Sequence, residues 1–236
     1  MKLTAPIHVL KRQAKDLKRS QSVTMVVALD QIARTEGFPS WSLLQSKAKD
    51  LVPKTREDIL DYLNPGDLVL VGARPGLGKT ILALQLLLQA IKDNLHCFFF
   101  SFEYTAKDVA LKLAALDEAY GPNHPLLTLD CSDGISSVYI ISKTKGLVSE
   151  GSLIVVDYLQ LLDQQRYKPT LQTQIEDLKA YAREMKCILI FISQIDRNFE
   201  HKNGIPPSLE DIRLPNPLDL GLFNKTIFVE NERIFM

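Results

Sequence analysis

With 236 residues the chain is long enough for one large domain, or a main domain with a small appendage, around a substantial core. Hydrophobic residues make up 46% and charged residues 24%, and Lys plus Arg equals Asp plus Glu at 28 each, so no overall field favours nucleic acid or an acidic partner. The three cysteines, Cys97, Cys131 and Cys187, are widely spaced with no C-x-x-C pair; with no signal-peptide or membrane-length apolar run, they predict buried free thiols in a cytoplasmic protein that does not enter a membrane.

The first fifty residues read as helices. Ile7, Val9, Leu10, Ala14 and Leu17 recur at helical spacing over 7–19; a second pattern runs over 23–34 and stops at Gly37. Ser40 is placed to cap a third, beginning at "SWSLLQSKA". A small helical unit over 1–50 is expected, with "LVPKTREDIL" as linker and lead-in helix.

After Pro65, apolar runs of strand length alternate with amphipathic runs of helix length, which is the βαβ pattern of an α/β domain over 51–236. Strands are predicted over 68–71, 97–102, 126–129, 153–156, 188–193 and 226–229, and helices over 79–92, 105–118, 135–148 and 171–186. Near-continuous runs such as "SLIVVD" and "CILIFIS" predict a mainly parallel sheet covered by helices on both faces. "NGIPPSLEDIRLPNPLDLGLF", with four prolines, is expected to be a long irregular loop.

Chemistry begins at "VLVGARPGLGKT". A strand, a glycine-containing turn and a helix starting at Lys79 would surround a phosphate with backbone N–H groups. Against the template G-x-x-x-x-G-K-[ST], Ala73 stands at the first glycine position, Arg74, Pro75, Gly76 and Leu77 fill the loop, and Gly78, Lys79 and Thr80 match. In that reading Lys79 reaches the β- and γ-phosphates of ATP and Thr80 holds Mg²⁺. Asp157 closes "SLIVVD" and would bring a carboxylate to the same strand edge, beside Thr80 and Mg²⁺. Glu103 follows "CFFFSF" and is the candidate base for an attacking water. Gln194 ends "ILIFISQ", where a neutral amide suits sensing of the γ-phosphate. All four features sit at predicted strand C-termini, where open α/β sheets bind ligands.

In order and spacing, "LNPGDLVLVGARPGLGKT", "FFFSFEYTAKDVALKL", "SLIVVDYLQLL" and "ILIFISQIDRNFE" resemble the motifs of the RecA-like ATPase domain of DnaB-type replicative helicases. The resemblance covers roughly 55–236. It implies a RecA-like P-loop fold, Lys79 and Thr80 at phosphate and Mg²⁺, Glu103 as base, Asp157 as the second-motif carboxylate and Gln194 as the switch between nucleotide and DNA. It also implies coupling of ATP to single-stranded DNA binding or translocation in replication or recombination, in a homo-oligomer such as a hexamer. The segment between Glu103 and Asp157 is short for the family, and the first fifty residues do not look like its usual helical domain. The family's arginine finger lies beyond the strand represented by "KTIFVENERIF"; Arg197, Arg213 and Arg233 do not match its motif, so a slow ATPase is expected unless a partner supplies one.

For DNA contact the candidates are Arg197, His201 and Lys202, just after Gln194, with Phe199 as the single aromatic nearby. A second basic group, Lys2, Lys11, Arg12, Lys15, Lys18 and Arg19 against Asp16, reads equally as a phosphate-contacting face or a solvated helix face. An ATP-controlled switch or adaptor that presents the N-terminal unit to a protein partner is the alternative function, and a small-molecule kinase is a third.

Overall fold

The computed structural model describes residues 3–4, 7–50, 53, 55–56, 58–162, 168–196, 199, 206–214, 216–230 and 233–235. Its chain divides into two compact units, Met1–Lys54 and Thr55–Met236.

In the first unit three helices, α1 (Ile7–Gln21), α2 (Met25–Thr35) and α3 (Trp41–Asp50), enclose Leu10, Ala33, Phe38, Trp41 and Leu44. The Thr24 hydroxyl caps α2 by accepting from Val27 N–H at 3.3 Å. After α2 the chain turns with paired bonds from Phe38 N–H to the Ala33 carbonyl (2.8 Å) and from Gly37 N–H to the Arg34 carbonyl (3.0 Å), the Schellman pattern that ends a helix at glycine. Ser40 lies where a cap was expected, its Oγ accepting from Leu43 N–H at 3.4 Å. Leu10 and Ala14 are buried on α1, while Lys11, Lys15, Lys18 and Arg19 face solvent.

The second unit begins with the short helix α4 (Asp58–Tyr62) and then alternates strands and helices: β1 (Leu68–Ala73), α5 (Lys79–Lys92), β2 (Cys97–Ser101), α6 (Ala106–Leu116), β3 (Leu127–Asp130), α7 (Ser137–Thr144), β4 (Leu153–Asp157), α8 (Leu171–Met185), β5 (Ile188–Gln194), β6 (Lys225–Glu230) and β7 (Arg233–Phe235). They build a seven-stranded sheet in the order β3-β2-β4-β5-β1-β6-β7, parallel except for β7, which runs antiparallel to β6.

Alternation along the strands divides the core. Val69, Val71 and Ala73 of β1, Phe99 of β2, Val155 of β4 and Ile190 and Ile192 of β5 pack with α4, α5 and α6. Leu68, Leu70, Phe98, Phe100, Ile154, Val156, Leu189 and Phe191 point to the opposite face, against α7 and α8. The period of two along a doubly covered sheet makes both sets apolar, which is why the strands read as unbroken hydrophobic runs.

The predicted strands and helices of this unit all form, and the differences lie at their ends and beyond β6. Thr105 caps α6 instead of joining it, accepting from Asp108 N–H while the Asp108 carboxylate accepts in return. Helix α7 is shorter than 135–148 because Ser136 is extended (φ −150°) and accepts from Tyr139 N–H, and Lys145 leaves helical geometry with ψ 127°. Strand β7 was not expected. The proline-rich segment is irregular as expected, with 3-10 turns at Leu209–Asp211 and Leu220–Leu222, and is pinned to the sheet by an antiparallel bridge between Ile195 and Ile212.

Cys97 and Cys187 are buried free thiols, each pushed up to about 12 by burial, whereas Cys131 is only half-buried. Among the described residues no helix is long and apolar enough to cross a membrane, and no cluster of three or more His, Cys, Asp or Glu side chains could hold a metal ion.

Candidate active site

Because β2, β4, β5 and β1 are adjacent and parallel, their C-terminal ends open on one edge of the sheet. Lys79, Thr80, Glu103, Asp157 and Gln194 all meet along that edge or in the turns leaving it. Ala73, at the template's first glycine position, is fully buried in β1 and in register with Gln194 of β5 and Val229 of β6. Arg74, Pro75, Gly76 and Leu77 form the turn, closed by Leu77 N–H donating to the Arg74 carbonyl at 3.3 Å. Gly76 and Gly78 lie at φ 78° and 83°, where a side chain would be strained, and Gly78 is the N-cap of α5. The turn therefore presents backbone N–H groups at a helix N-terminus, a cradle for anions.

Lys79 and Thr80 open α5 and are buried, 6% and 5% exposed. The Thr80 hydroxyl donates to Asp157 Oδ2 at 2.9 Å, joining the loop helix to the end of β4. The other carboxylate oxygen, Asp157 Oδ1, is buried with no hydrogen-bond partner among the described residues. Burial pushes the Asp157 carboxyl up to about 6, against the Thr80 hydrogen bond and the positive charge of Lys79, with Glu103 adding to the rise. A fully buried carboxylate with an unsatisfied oxygen, beside a hydroxyl and an ammonium, is a site in deficit of a cation. Its hydroxyl and carboxylate are hard oxygen donors that fit Mg²⁺.

Glu103 Oε2 lies 3.7 Å from Lys79 Nζ, and its side chain is 35% exposed, so it reaches solvent from the site edge. Three hydrogen bonds hold its backbone there. Ser101 Oγ accepts from Glu103 N–H (3.3 Å) and Tyr104 N–H (3.0 Å), and Phe102 N–H donates to the Asp157 carbonyl at 2.8 Å. The Tyr158 ring centroid lies 5.9 Å from Lys79 Nζ, and burial raises the Tyr158 phenol, helped by the charge of Glu103. Gln194 is partly exposed at the tip of β5; its carbonyl accepts from Arg213 N–H at 2.9 Å, and the next residue, Ile195, donates to the Ala73 carbonyl at 3.1 Å. The residue after β5 and the end of β1 that leads into the loop thus share a backbone hydrogen bond.

A family model described as the DnaB-like helicase C terminal domain matches residues 54–123 and 122–216. The chain belongs to the DnaB-like helicase C-terminal domain family. Among its relatives, the replicative DNA helicase DnaB of Leifsonia xyli subsp. xyli is 27% identical over 187 residues, 66% of this chain and 41% of that protein. The DnaB of Helicobacter pylori strain ATCC 700392 / 26695 is 30% identical over 182 residues, 64% of this chain and 37% of that protein. The chain thus spans about two fifths of the length of these curated relatives. Among solved structures, one described as an ATPase domain aligns at TM-score 0.56 and 23% identity, covering 79% of this chain and 81% of that one. A DnaB-like replicative helicase described with its interactions with primase aligns at TM-score 0.56 and 19% identity, covering 94% and 65%. These structural likenesses place the DnaB-family unit among RecA-like folds with a mostly parallel sheet.

Several contacts at this DnaB-family site had no counterpart in the sequence reading. Arg74 is anchored by Glu230 at the end of β6, Nη2 to Oε1 2.8 Å. Gln160, just after β4, is buried and donates from Nε2 to Ser193 Oγ (2.7 Å) and to the Arg213 carbonyl (2.6 Å). Ser101 in "SFEYT" carried a readable sign, a serine one turn before a helix cap, which favours side-chain-to-backbone bonding. Glu230 and Gln160 carried none, because their partners are distant in sequence. Phe199, the aromatic beside the DNA-contact candidates, is 5% exposed and sits in the apolar layer beside α8, so it offers no exposed ring. The DNA-contact candidates Arg197, His201 and Lys202 lie outside the described residues, as does Lys2; for Arg12 only the backbone is described.

Proposed function

We propose that this chain binds ATP with Mg²⁺ on the 73–80 loop, hydrolyses it, and couples the cycle to single-stranded DNA. The observation that carries the reading is the Asp157–Thr80 pair: a buried carboxylate bonded to the loop-helix hydroxyl, with its second oxygen unsatisfied. Thr80 and Asp157 would hold the ion, which when bound neutralises charge on the phosphate oxygens. Backbone N–H groups of the loop and the Lys79 ammonium bind the β- and γ-phosphates, and burial of Lys79 strengthens that attraction. Glu103 accepts a proton from water as the water oxygen attacks the γ-phosphorus and the bond to the bridging oxygen breaks, releasing ADP with the electron pair. Gln194, bonded through its own backbone and its neighbour to both the 206–214 segment and Ala73, passes a change at the γ-phosphate outward.

The relatives' DnaB names favour a replication or recombination motor, and a homo-oligomer, with a hexamer as the natural form, would bring a second copy's charge to each site. Residues 51–236 form the ATPase domain in this proposal, and 1–50 a helical unit open to a protein partner. Free cysteines support a reducing, cytoplasmic setting. The test is phosphate release across a range of protein concentrations, with and without a single-stranded oligonucleotide, for the full chain and Lys79→Ala. Turnover that needs Mg²⁺ and Lys79 and rises severalfold with DNA is expected. No turnover under any condition refutes the ATPase; turnover indifferent to DNA at every concentration removes the coupling.

A further inference from the structure

One cation close to the loop belongs to no part of the G-x-x-x-x-G-K-T pattern. Arg56 precedes α4, and its guanidinium lies at the loop's last glycine: a Cβ built on Gly78 would stand 3.5 Å from Arg56 Nη2 and 3.9 Å from Nη1. Helix α4 holds it there, since Ile59, Leu60 and Leu63 are buried in the same apolar cluster as Leu82, Ala83 and Leu86 of α5. The Arg56 carbonyl also accepts from Ile59 N–H at 3.3 Å, tying the arginine to the start of α4. The lead-in helix is thereby clamped to the helix whose N-cap is Gly78, and the guanidinium lies beside the last glycine of the loop. Arg74, the loop's own arginine, pairs with Glu230.

We propose that Arg56 is a phosphate-binding side chain of this nucleotide site, acting in cis from outside the motif. The inference rests on the nucleotide reading above. A guanidinium beside the N–H groups that line a phosphate adds a permanent charge and a planar fork of donors matched to phosphate oxygens. It also gives the short α4 a role beyond packing, because the helix sets the distance between that fork and the loop.

The test is binding of Mg²⁺-ATP to the full chain by titration, with inorganic tripolyphosphate as competitor, for wild type, Arg56→Met and Arg56→Lys. Methionine keeps an apolar stem against α4 and loses the charge; lysine keeps the charge and loses the fork. The expected result is a loss of about tenfold for ATP and for tripolyphosphate in Arg56→Met. Arg56→Lys should stay within roughly threefold of wild type, since it keeps the charge, and all three should share one thermal midpoint. Arg56→Met binding both ligands like wild type overturns the proposal and leaves the nucleotide reading standing. Equal losses in both variants with a lowered midpoint also overturn it, because packing then explains them. A wild-type chain that binds neither ligand removes the proposal together with the reading beneath it.

Discussion

Replacing Asp157 by Asn isolates the electrostatic cost of the site. The Asp157 carboxyl is raised from an ordinary 3.8 to about 6, chiefly by burial, and this net rise already contains the opposing help of Thr80 and Lys79. At about 1.4 kcal/mol per pH unit, the ionised carboxylate costs the metal-free fold about 3 kcal/mol above pH 6. The sign follows from linkage: a carboxyl with a folded value above its unfolded value binds its proton more tightly when folded. Its penalty is therefore absent below pH 4 and grows as pH rises from about 4 to about 6. Asparagine keeps an acceptor for the Thr80 hydroxyl at 2.9 Å and carries no charge. In chelator and without nucleotide, Asp157→Asn should be more stable than wild type at pH 8, by at most about 3 kcal/mol or roughly 6–12 °C for a unit of this size. At pH 4 the two should melt together. Thermal unfolding followed by circular dichroism at both pH values measures this. A variant no more stable than wild type at pH 8, or stabilised equally at both, would refute the claim that Asp157 is held in deficit of a cation.

Glu103→Gln should bind ATP within about threefold of wild type while hydrolysis falls by roughly 10²–10⁴, as expected for loss of a general base; phosphate release near the wild-type rate would reject the assignment. Gln160→Leu removes both amide bonds to Ser193 and Arg213, costing about 1–3 kcal/mol and speeding hydrogen exchange at the Arg213 amide; unchanged exchange there would show that the 206–214 segment is held by other means. Lys225, 2.6 Å from Asp67 and nearly fully buried, should be costly to replace: Lys225→Met strands a buried carboxylate and should lower stability by about 3–5 kcal/mol, read from the urea midpoint.

The sheet was readable because its strands are covered on both faces, so composition alone marks them. Helix α5 spans Lys79–Lys92 as the pattern predicted, because a glycine-rich turn starts it and apolar residues fill its length. Strand β7 escaped because Arg233, Ile234 and Phe235 are three residues at an edge, with too little alternation to carry a pattern. Helix ends at Thr105 and Ser136 were missed by a residue or two, since hydroxyl caps compete with the first helical turn. The sequence places Lys79 and Thr80 at the start of a helix and Glu103, Asp157 and Gln194 at or just after strand ends, and the fold brings these five positions to one edge of the sheet. The positions of Arg56, Gln160 and Glu230 were not legible, because each meets its neighbours at the site only through tertiary packing.

The alternating core carries a consequence for how this fold tolerates change. Only the odd-numbered side of β1, Val69, Val71 and Ala73, touches the layer that holds α5, whereas Leu68 and Leu70 rest on the layer shared with α8. A change of volume beneath α5 bears directly on the helix that Lys79 and Thr80 open, whereas on the α8 side the loop is reached through Phe228 and Ile212, which crowd Gly72 at its entry.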